Sequence, residues 1–292
     1  MLRSRMIGEY RVSSLVEYCG PTHDPAAFLP DYQPSVVEPH REWLVPNHWF
    51  PNINRFVIAI QIWIVQAGAN VILIDTGVGN QKPRSVARMN MLNTLVPQWL
   101  EAAGAWRNQV THVIMTHLHS DHVGWNTILE NGRWVPTFPN ARYLMPKENF
   151  DYWKDQIDRG KAPDGGSFAD SVMPVVQAGV VDFLTTQKDV AGCLSIEPLP
   201  GHTPGHLNLR LRSRGEEGVF SGDIFHHPIQ IVCPTWNSAF CIDPDAARRS
   251  RAAFLADAAR TGALVMPCHF GLPHCGYVRK RGENYRFEPA TW

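Results

Sequence analysis

An α/β sandwich is the fold class this sequence predicts, and the order of its elements is the main reason. Strand-like stretches dominate the 292 residues, helical stretches interrupt them, and two similar halves meet near the middle. That pattern suits sheets packed face to face better than a doubly wound parallel sheet. A hydrophobic fraction of 44%, with 10% aromatic residues, is ample for a buried core and excludes general disorder. No internal repeat or low-complexity linker breaks the chain, so residues 1–292 read as a single domain. Within it, residues 1–54 form an N-terminal strand plus a Pro/aromatic segment, and residues 55–292 form the sandwich core.

The elements follow in order. Residues 8–18 look strand-like. From Gly20 to Asn54 the composition shifts to prolines mixed with Phe28, Tyr32, Trp43, Trp49 and Phe50. A loop this long with this aromatic content is expected to be ordered and packed, and to form part of a substrate pocket or a dimer contact. Residues 55–66 and 70–75 read as two strands of an Ile/Val-rich hairpin. Residues 94–103 are a helix candidate with Thr94 as its cap and Gly104 as its stop. A short buried strand, 112–116, runs straight into a histidine cluster. A strand at 142–145 and a helix at 147–158 come next, then a Gly/Pro-containing loop at 160–166. Strands are expected at 181–185, 194–199, 207–211 and 219–221. The clearest helix spans 244–261, capped by Asp243, opened by Pro244 and ended by Gly262. Residues 263–266 are the last strand.

Charge and cysteine content narrow the function classes. Lys+Arg and Asp+Glu both number 27, so the formal charge is zero and there is no electrostatic footprint for nucleic acid or an anionic membrane. The runs Arg248-Arg249-Ser250-Arg251 and Arg279-Lys280-Arg281 read as solvated surface. The six cysteines contain no C-x-x-C pair and do not read as a disulfide framework, which points to a reducing compartment. Arg3, Arg5 and Glu9 stand where a signal peptide needs an apolar run, and the longest apolar stretch, 56–65, is interrupted by Gln61 and is too short to span a bilayer. A cytoplasmic protein is the expectation.

The decisive segment is Thr116-His117-Leu118-His119-Ser120-Asp121-His122. Imidazole and carboxylate are the ligands expected for zinc, and a loop at a strand end can fold four of them toward one point. Strand geometry lets His117 and His119 share a metal, whereas Asp121 and His122 need the following turn. A lone buried histidine is usually a hydrogen-bonded core residue. Three with an aspartate, packed together without a cation, would be costly to bury.

These residues resemble the H-x-H-x-D-H motif of the metallo-β-lactamase superfamily, without substitution. The resemblance implies an αββα sandwich and further ligands downstream. Pro200-Gly201-His202-Thr203-Pro204-Gly205-His206 supplies the family's Gly-His-Thr turn as His202. Ser221-Gly222-Asp223 supplies the bridging aspartate, and Met266-Pro267-Cys268-His269 the final histidine. Ile74-Asp75-Thr76-Gly77 resembles the turn whose aspartate supports the site from behind. By this resemblance, which covers about residues 56–269, His117, His119 and His202 hold one metal, while Asp121, His122 and His269 hold the other. Asp223 bridges them. Two divalent ions, expected to be Zn2+, are implied as cofactors. A bridging hydroxide, its pKa lowered by zinc to about 7, is implied as the nucleophile. Among the remaining histidines, His206 is read as a supporting residue and His112 as bonded to backbone. His23, His40, His48 and His274 are not placed by any motif. Cys268 reads as a small buried hydrophobe.

Fold alone does not fix the reaction. The resemblance implies that an intact Asp223 disfavours antibiotic hydrolysis. The 23 residues after His269 leave no room for the helical domain of glyoxalase II. Neutral charge disfavours the superfamily's nucleases, and neither the glutamate ligand nor the appended flavodoxin module of flavodiiron proteins is seen. Gly222-Asp223-Ile224-Phe225-His226-His227-Pro228 and the aromatic N-terminal region look similar to the quorum-quenching lactonases and methyl parathion hydrolase-like enzymes. The implied activity is hydrolysis of a lactone or other carboxylic ester, with a phosphotriester as the alternative and a redox or non-catalytic metal protein as a third reading. Asp121 is expected to deliver a proton to the leaving alkoxide. His226 stands where the lactonases carry a tyrosine aimed at the substrate carbonyl, and is expected to donate to the oxyanion, with His227 competing for that role.

Overall fold

The run of Ile, Val and Phe at residues 56–65 becomes the centre of a long strand, Arg55–Ala67, in which every one of those side chains is buried. Burial on both strand faces requires cover on both sides of the sheet, and this computed structural model supplies it. It describes residues 2–161, 164–185 and 188–292. Among the described residues, one sheet takes the order Leu2–Ile7, Tyr10–His23, Arg55–Ala67, Asn70–Ile74, His112–Ile114, Arg142–Pro146, Val181–Leu184, with Trp49–Phe50 added beside Arg55–Ala67. The second runs Lys188–Val190, Leu194–Pro198, Leu207–Ser213, Glu216–Phe220, Leu264–Met266, Gly276–Arg281, Asn284–Pro289.

Three hydrophobic clusters define the layers. Trp63, Ile74 and Ile114 from the first sheet meet Leu209, Phe220 and Met266 from the second, so one core lies between the sheets. The outer face of the first sheet packs Leu73, Val113 and Tyr143 against Leu100 and Phe150 of the helices Val96–Ala102 and Lys147–Asp158. The outer face of the second packs Val219, Val265 and Val278 against Phe254, Leu255 and Ala258 of the helix Pro244–Thr261. Helix, sheet, sheet, helix is the sandwich expected from the sequence.

Pairing direction then places the loops. Asn70–Ile74, His112–Ile114 and Arg142–Pro146 are mutually parallel, as are Glu216–Phe220 and Leu264–Met266. The segments beginning at Asp75, His117, Asp223 and His269 therefore leave the carboxyl ends of their strands, and the turn bearing His202 joins Leu194–Pro198 to Leu207–Ser213 on the same edge.

Most expected elements are present, and the helix Pro244–Thr261 has the expected bounds, with Asp243 accepting from the Ala246 N–H at 2.9 Å and Gly262 left-handed at φ +70°. Several expectations are corrected. Thr94 does not cap its helix, which begins at Val96, because its N–H and hydroxyl are both engaged by the Asn80 side chain at 2.7 and 3.2 Å. The region 20–54 is not one loop. The second strand continues to His23, and three short helices, Pro25–Phe28, Pro34–Val37 and Arg41–Leu44, follow, each one turn long. The hairpin Gly276–Arg281/Asn284–Pro289, which closes the second sheet, was unexpected: its charged outward residues mask the strand pattern. Of the loop expected at 160–166, residues 162 and 163 lie outside the described residues.

Arg251 is the largest correction. It is not solvated surface but fully buried, donating to Ile224 O at 2.9 Å, Pro234 O at 2.8 Å and Asn237 Oδ1 at 3.1 Å. Burial lowers its pKa to about 10, so the guanidinium stays charged at neutral pH, and carbonyl dipoles rather than a carboxylate hold it. It anchors the helix Pro244–Thr261 to the turn that carries Asp223. Replacing Arg251 with Met should strand three acceptors and lower stability by about 2–4 kcal/mol, read from the midpoint of urea unfolding. A shift below about 0.5 kcal/mol would contradict this account.

Candidate metal centre

Five imidazole nitrogens converge on one carboxylate oxygen. Asp223 Oδ2 lies 3.0 Å from His269 Nε2, 3.3 Å from His122 Nε2, 3.4 Å from His226 Nε2, 3.5 Å from His202 Nε2 and 3.6 Å from His117 Nε2. His119 presents Nδ1 instead, 3.0 Å from both His117 Nε2 and His202 Nε2. Asp121 reaches His122 with Oδ1 at 3.7 Å and His269 with Oδ2 at 3.8 Å. All seven residues singled out as ligands in the sequence are thus brought together at one edge of the sandwich.

The donor set fits divalent ions. Four nitrogens held at roughly 2.0–2.1 Å around a tetrahedral zinc lie about 3.3 Å apart, close to the separations found here. Among the four overlapping groups of potential ligands found in the described residues, two match the expected division: His117, His119, His202 with Asp223, and Asp121, His122, His269. His122 Nε2 and Asp223 Oδ1 are buried without a hydrogen-bond partner, although their rings and oxygens face the cluster. Leaving such groups bare costs about 1–3 kcal/mol each, which a cation would offset. Burial keeps His117 and His202 neutral by lowering their pKa values, the form that binds a metal. Burial also acts to lower His122 and His269, but Asp223 leads the carboxylates that overcome it and raise both. The field that would hold a proton there would equally hold a metal ion.

Local sequence explains how the loops reach this point. Asp75 accepts from the Thr116 N–H at 2.8 Å, from Thr116 Oγ1 at 2.9 Å and from His122 Nδ1 at 2.9 Å, which turns His122 Nε2 toward the cluster. His269 Nδ1 donates to Ala59 O at 2.8 Å to the same effect. Gly222 has φ +50°, and a Cβ there would lie 2.5 Å from His206 Nε2, so only glycine lets the Asp223 turn form. His206 itself stays out of the cluster: Nδ1 donates to Leu199 O at 3.0 Å, and Nε2 accepts from the Asp223 N–H at 3.0 Å. It aims the aspartate.

The residues around the motifs are distributed as follows. His226 joins the cluster and stacks on His269 at 5.3 Å, with burial holding its pKa near 3. His227 does not: it stacks on Phe56 at 3.9 Å and donates through Nε2 to His48 O at 2.9 Å, a packing role. His112 pairs with the Thr111 hydroxyl at 2.9 Å rather than with backbone. Cys268 is more than a small hydrophobe, since its thiol donates to Asp75 Oδ2 at 3.2 Å.

Sequence reasoning missed three positioning residues. Glu17, from the strand Tyr10–His23 of the first sheet, accepts from the Val78 N–H at 2.6 Å and from Trp125 Nε1 at 2.7 Å. Gln61 donates to Pro267 O at 3.1 Å and Phe270 O at 3.3 Å, bracing the segment that bears His269. Asn149 accepts from the Leu118 N–H at 2.8 Å and donates to Pro204 O at 2.6 Å, tying the two histidine loops together. For Glu17 and Gln61 a polar residue inside an apolar run was the available signal; Asn149, between Glu148 and Phe150 in a charged stretch, offered none. Asn149→Ala should lower stability by about 2–4 kcal/mol by stranding both backbone groups, measured by denaturant unfolding. Asn149→Asp, which keeps only the acceptor, should fall between wild type and alanine.

Above the cluster opens a pocket of about 210 Å³ whose walls include Phe28, Ile58, Met89, Trp153 and Phe240. His23 and Phe28 come from the Pro/aromatic segment, so that segment does reach the pocket, whereas Trp49 packs into a core with Leu44, Phe56 and Trp236 and Trp43 sits against it.

Comparison with known proteins agrees with this geometry. The family model described as the metallo-beta-lactamase superfamily matches residues 56–269. "Probable metallo-hydrolase Rv2300c" of Mycobacterium tuberculosis is 25% identical over 192 residues, 60% of each chain. "Acyl-coenzyme A thioesterase MBLAC2" of Bos taurus is 25% identical over 183 residues, 56% of this chain and 58% of that one. The chain thus spans about 60% of the length of these curated relatives. Two solved structures share the fold: AidC, described as a dizinc quorum-quenching lactonase, with TM-score 0.80 and 21% identity over 100% of this chain and 98% of that one, and the hydrolase AbOPH, with TM-score 0.82 and 23% identity over the same shares. The chain belongs to the metallo-β-lactamase superfamily.

Proposed function

We propose that this protein is a hydrolase of lactones or other carboxylic esters that works with two divalent metal ions, zinc being the expected metal. The observation that carries the reading is the convergence of five imidazoles on Asp223 Oδ2 beneath an apolar pocket. His117, His119 and His202 would hold one ion, Asp121, His122 and His269 the other, with Asp223 between. When bound, such a pair polarises an acyl oxygen and activates water near neutral pH. The relatives named metallo-hydrolase and thioesterase, and the lactonase neighbour, support acyl hydrolysis.

The chain's own residues supply the rest. Pocket walls of Phe, Ile and Met side chains would seat the acyl part and keep bulk water from it. Asp121 is the more exposed of the cluster's carboxylates, at 22% against 2% for Asp223, which supports the reading that it passes a proton to the departing alkoxide. His226, neutral because burial holds its pKa near 3, would offer an N–H to the oxygen that becomes anionic. A neutral donor keeps that role across the working pH range.

Metal analysis of purified protein should give about two divalent ions per chain, and strong chelation should abolish hydrolysis across a panel of lactones, aryl esters, thioesters and phosphotriesters. A fully active preparation with one ion or none would overturn the two-metal reading. His202→Ala should lose metal outright, whereas His206→Ala should weaken metal binding by only about 10–100-fold. Competition with a chromogenic chelator separates the two variants, and the reverse ranking would reassign the ligand.

His226→Ala and His226→Gln at full metal occupancy should each lower kcat by roughly 10²–10³ if the imidazole stabilises the oxyanion. Loss of an ion instead would make His226 a ligand, consistent with its place beside Asp223 and His269. Unchanged turnover with two ions bound would remove it from both roles.

A further inference from the structure

We infer that the ester this pocket accepts carries a carboxylate at the end remote from the scissile bond, and that Arg88 binds it. The inference rests on the ester-hydrolase reading above and adds the substrate's charge to it. Arg88 lines the same pocket as Asp121, Asp223 and His226, and its half-buried guanidinium contributes the fixed side-chain cation of that wall. Among the described residues no carboxylate lies within ion-pair distance of it. The partner it does have is His23, whose Nε2 is 3.1 Å from Arg88 Nη2. Arginine only donates, so that nitrogen accepts, and the ring proton sits on Nδ1, 2.8 Å from Thr22 Oγ1. A neutral imidazole occupies one donor and leaves the charge uncompensated.

The backbone that carries the guanidinium is also held in place. Its 3-10 turn, Ala87–Met89, buries Met89 in the pocket wall. The preceding stretch is bolted to the body by Arg84, which grips Asp170 with both nitrogens at 2.7 and 2.9 Å, and by Lys82, which donates to Thr127 Oγ1 at 2.8 Å. Asn80 closes the loop's base on Thr94, accepting at 2.7 Å and donating at 3.0 Å. A cation positioned in advance loses little freedom on binding, which is how a single charge becomes selective.

The route from Arg88 to the cluster is lined by rings. His23 lies tilted against Phe28 at 4.4 Å, and Phe28 meets His226 edge-on at 5.8 Å, with Phe240 at 6.0 Å from His226 on the same wall. A ligand lying along this wall would have its reacting acyl group at the histidines, an apolar stem on Phe28 and Phe240, and its far end at Arg88. One cation with one neutral neighbour matches a singly charged carboxylate, which a guanidinium binds through two parallel hydrogen bonds, better than a phosphate dianion.

The test compares mono-4-nitrophenyl adipate with its neutral methyl ester, using metal-loaded wild type, Arg88→Met and Arg88→Lys. Wild type should favour the acid by about tenfold or more in kcat/KM, mainly through KM. The ratio should collapse toward one in R88M and survive in part in R88K. Calorimetric binding of the matching anilides, N-(4-nitrophenyl)adipamic acid and its methyl ester, reads the same preference without turnover. If no ester is cleaved but the acid anilide still binds better to wild type than to R88M, the hydrolase reading fails and the Arg88 assignment stands. If wild type shows no preference, or if the preference persists in R88M, the carboxylate is not bound by Arg88 and the proposal is overturned. A terminal phosphate bound more tightly than the carboxylate would overturn the choice of anion. R88M that loses stability while keeping the wild-type ratio would leave Arg88 only its bond to His23.

Discussion

Everything at the open edge of this sandwich depends on the burial of one carboxylate. Asp223 is 2% exposed, sits among five histidines, and leaves Oδ1 without a partner. A buried carboxylate in such company needs positive charge, and neutral imidazoles alone do not provide it. At two of these histidines the surrounding loops turn a lone pair, rather than an N–H group, inward. His122 and His269 commit Nδ1 to Asp75 and to a backbone carbonyl, which fixes the outward-facing proton and turns Nε2 toward Asp223. An arrangement of this kind has high energy when empty and low energy when a cation fills it, so the polypeptide's folding and its affinity for metal are two expressions of the same buried network.

The network extends well behind the histidines, and that depth is what keeps their spacing. Asp75 gathers Thr116, His122 and Cys268, so two loops, one from each sheet, share one carboxylate. His206 turns Asp223, Asn149 joins the His117 and His202 loops, and Arg251 pins the turn after Asp223 to the long helix. None of these needs to touch a substrate. Their common effect is to convert the rigidity of two sheets into fixed positions for nitrogen atoms a few ångströms apart.

The sequence made the αββα class and the seven converging residues legible because both are written locally. The His117–His122 motif lies in one segment, and His202, Asp223 and His269 each follow a strand with its own turn residues. Gly222 is a clear instance, since its left-handed φ and the nearness of His206 demand the residue that the motif contains. What stayed hidden was written across the chain. Glu17 meets Val78 and Trp125, Asn149 meets Leu118 and Pro204, and Arg251 meets Ile224 and Pro234, partners that only the folded sheets bring together. Arg251 misled because its neighbours Arg248 and Arg249 suggest a charged surface, whereas helix periodicity from Ala247 through Phe254 places it on the inner face. Thr94 misled for the converse reason, its hydroxyl being engaged by Asn80 before the helix begins.

The pocket divides along its length into a polar floor and largely apolar walls. Its floor is polar, built from the ends of strands, and fixed by the network just described. Its walls come from other parts of the chain: His23 and Phe28 from the segment before the long central strand, Arg88 and Met89 from the loop after Asp75, Phe240 and Ile242 from the stretch before the last helix. Phe28 meets the floor through ring-edge packing on His226, whereas the stretch bearing Phe240 and Ile242 is tied to it by the Ile242 N–H, which donates to His202 O at 2.9 Å. Under the proposed function, reaction class would be a property of the floor and choice of substrate a property of the walls. A wall otherwise made largely of rings and aliphatic chains nonetheless keeps the Arg88 guanidinium, on a loop whose earlier part is held by the Lys82–Arg84–Asp170 cluster, and under the proposal above the charge of the ligand is what that wall would select.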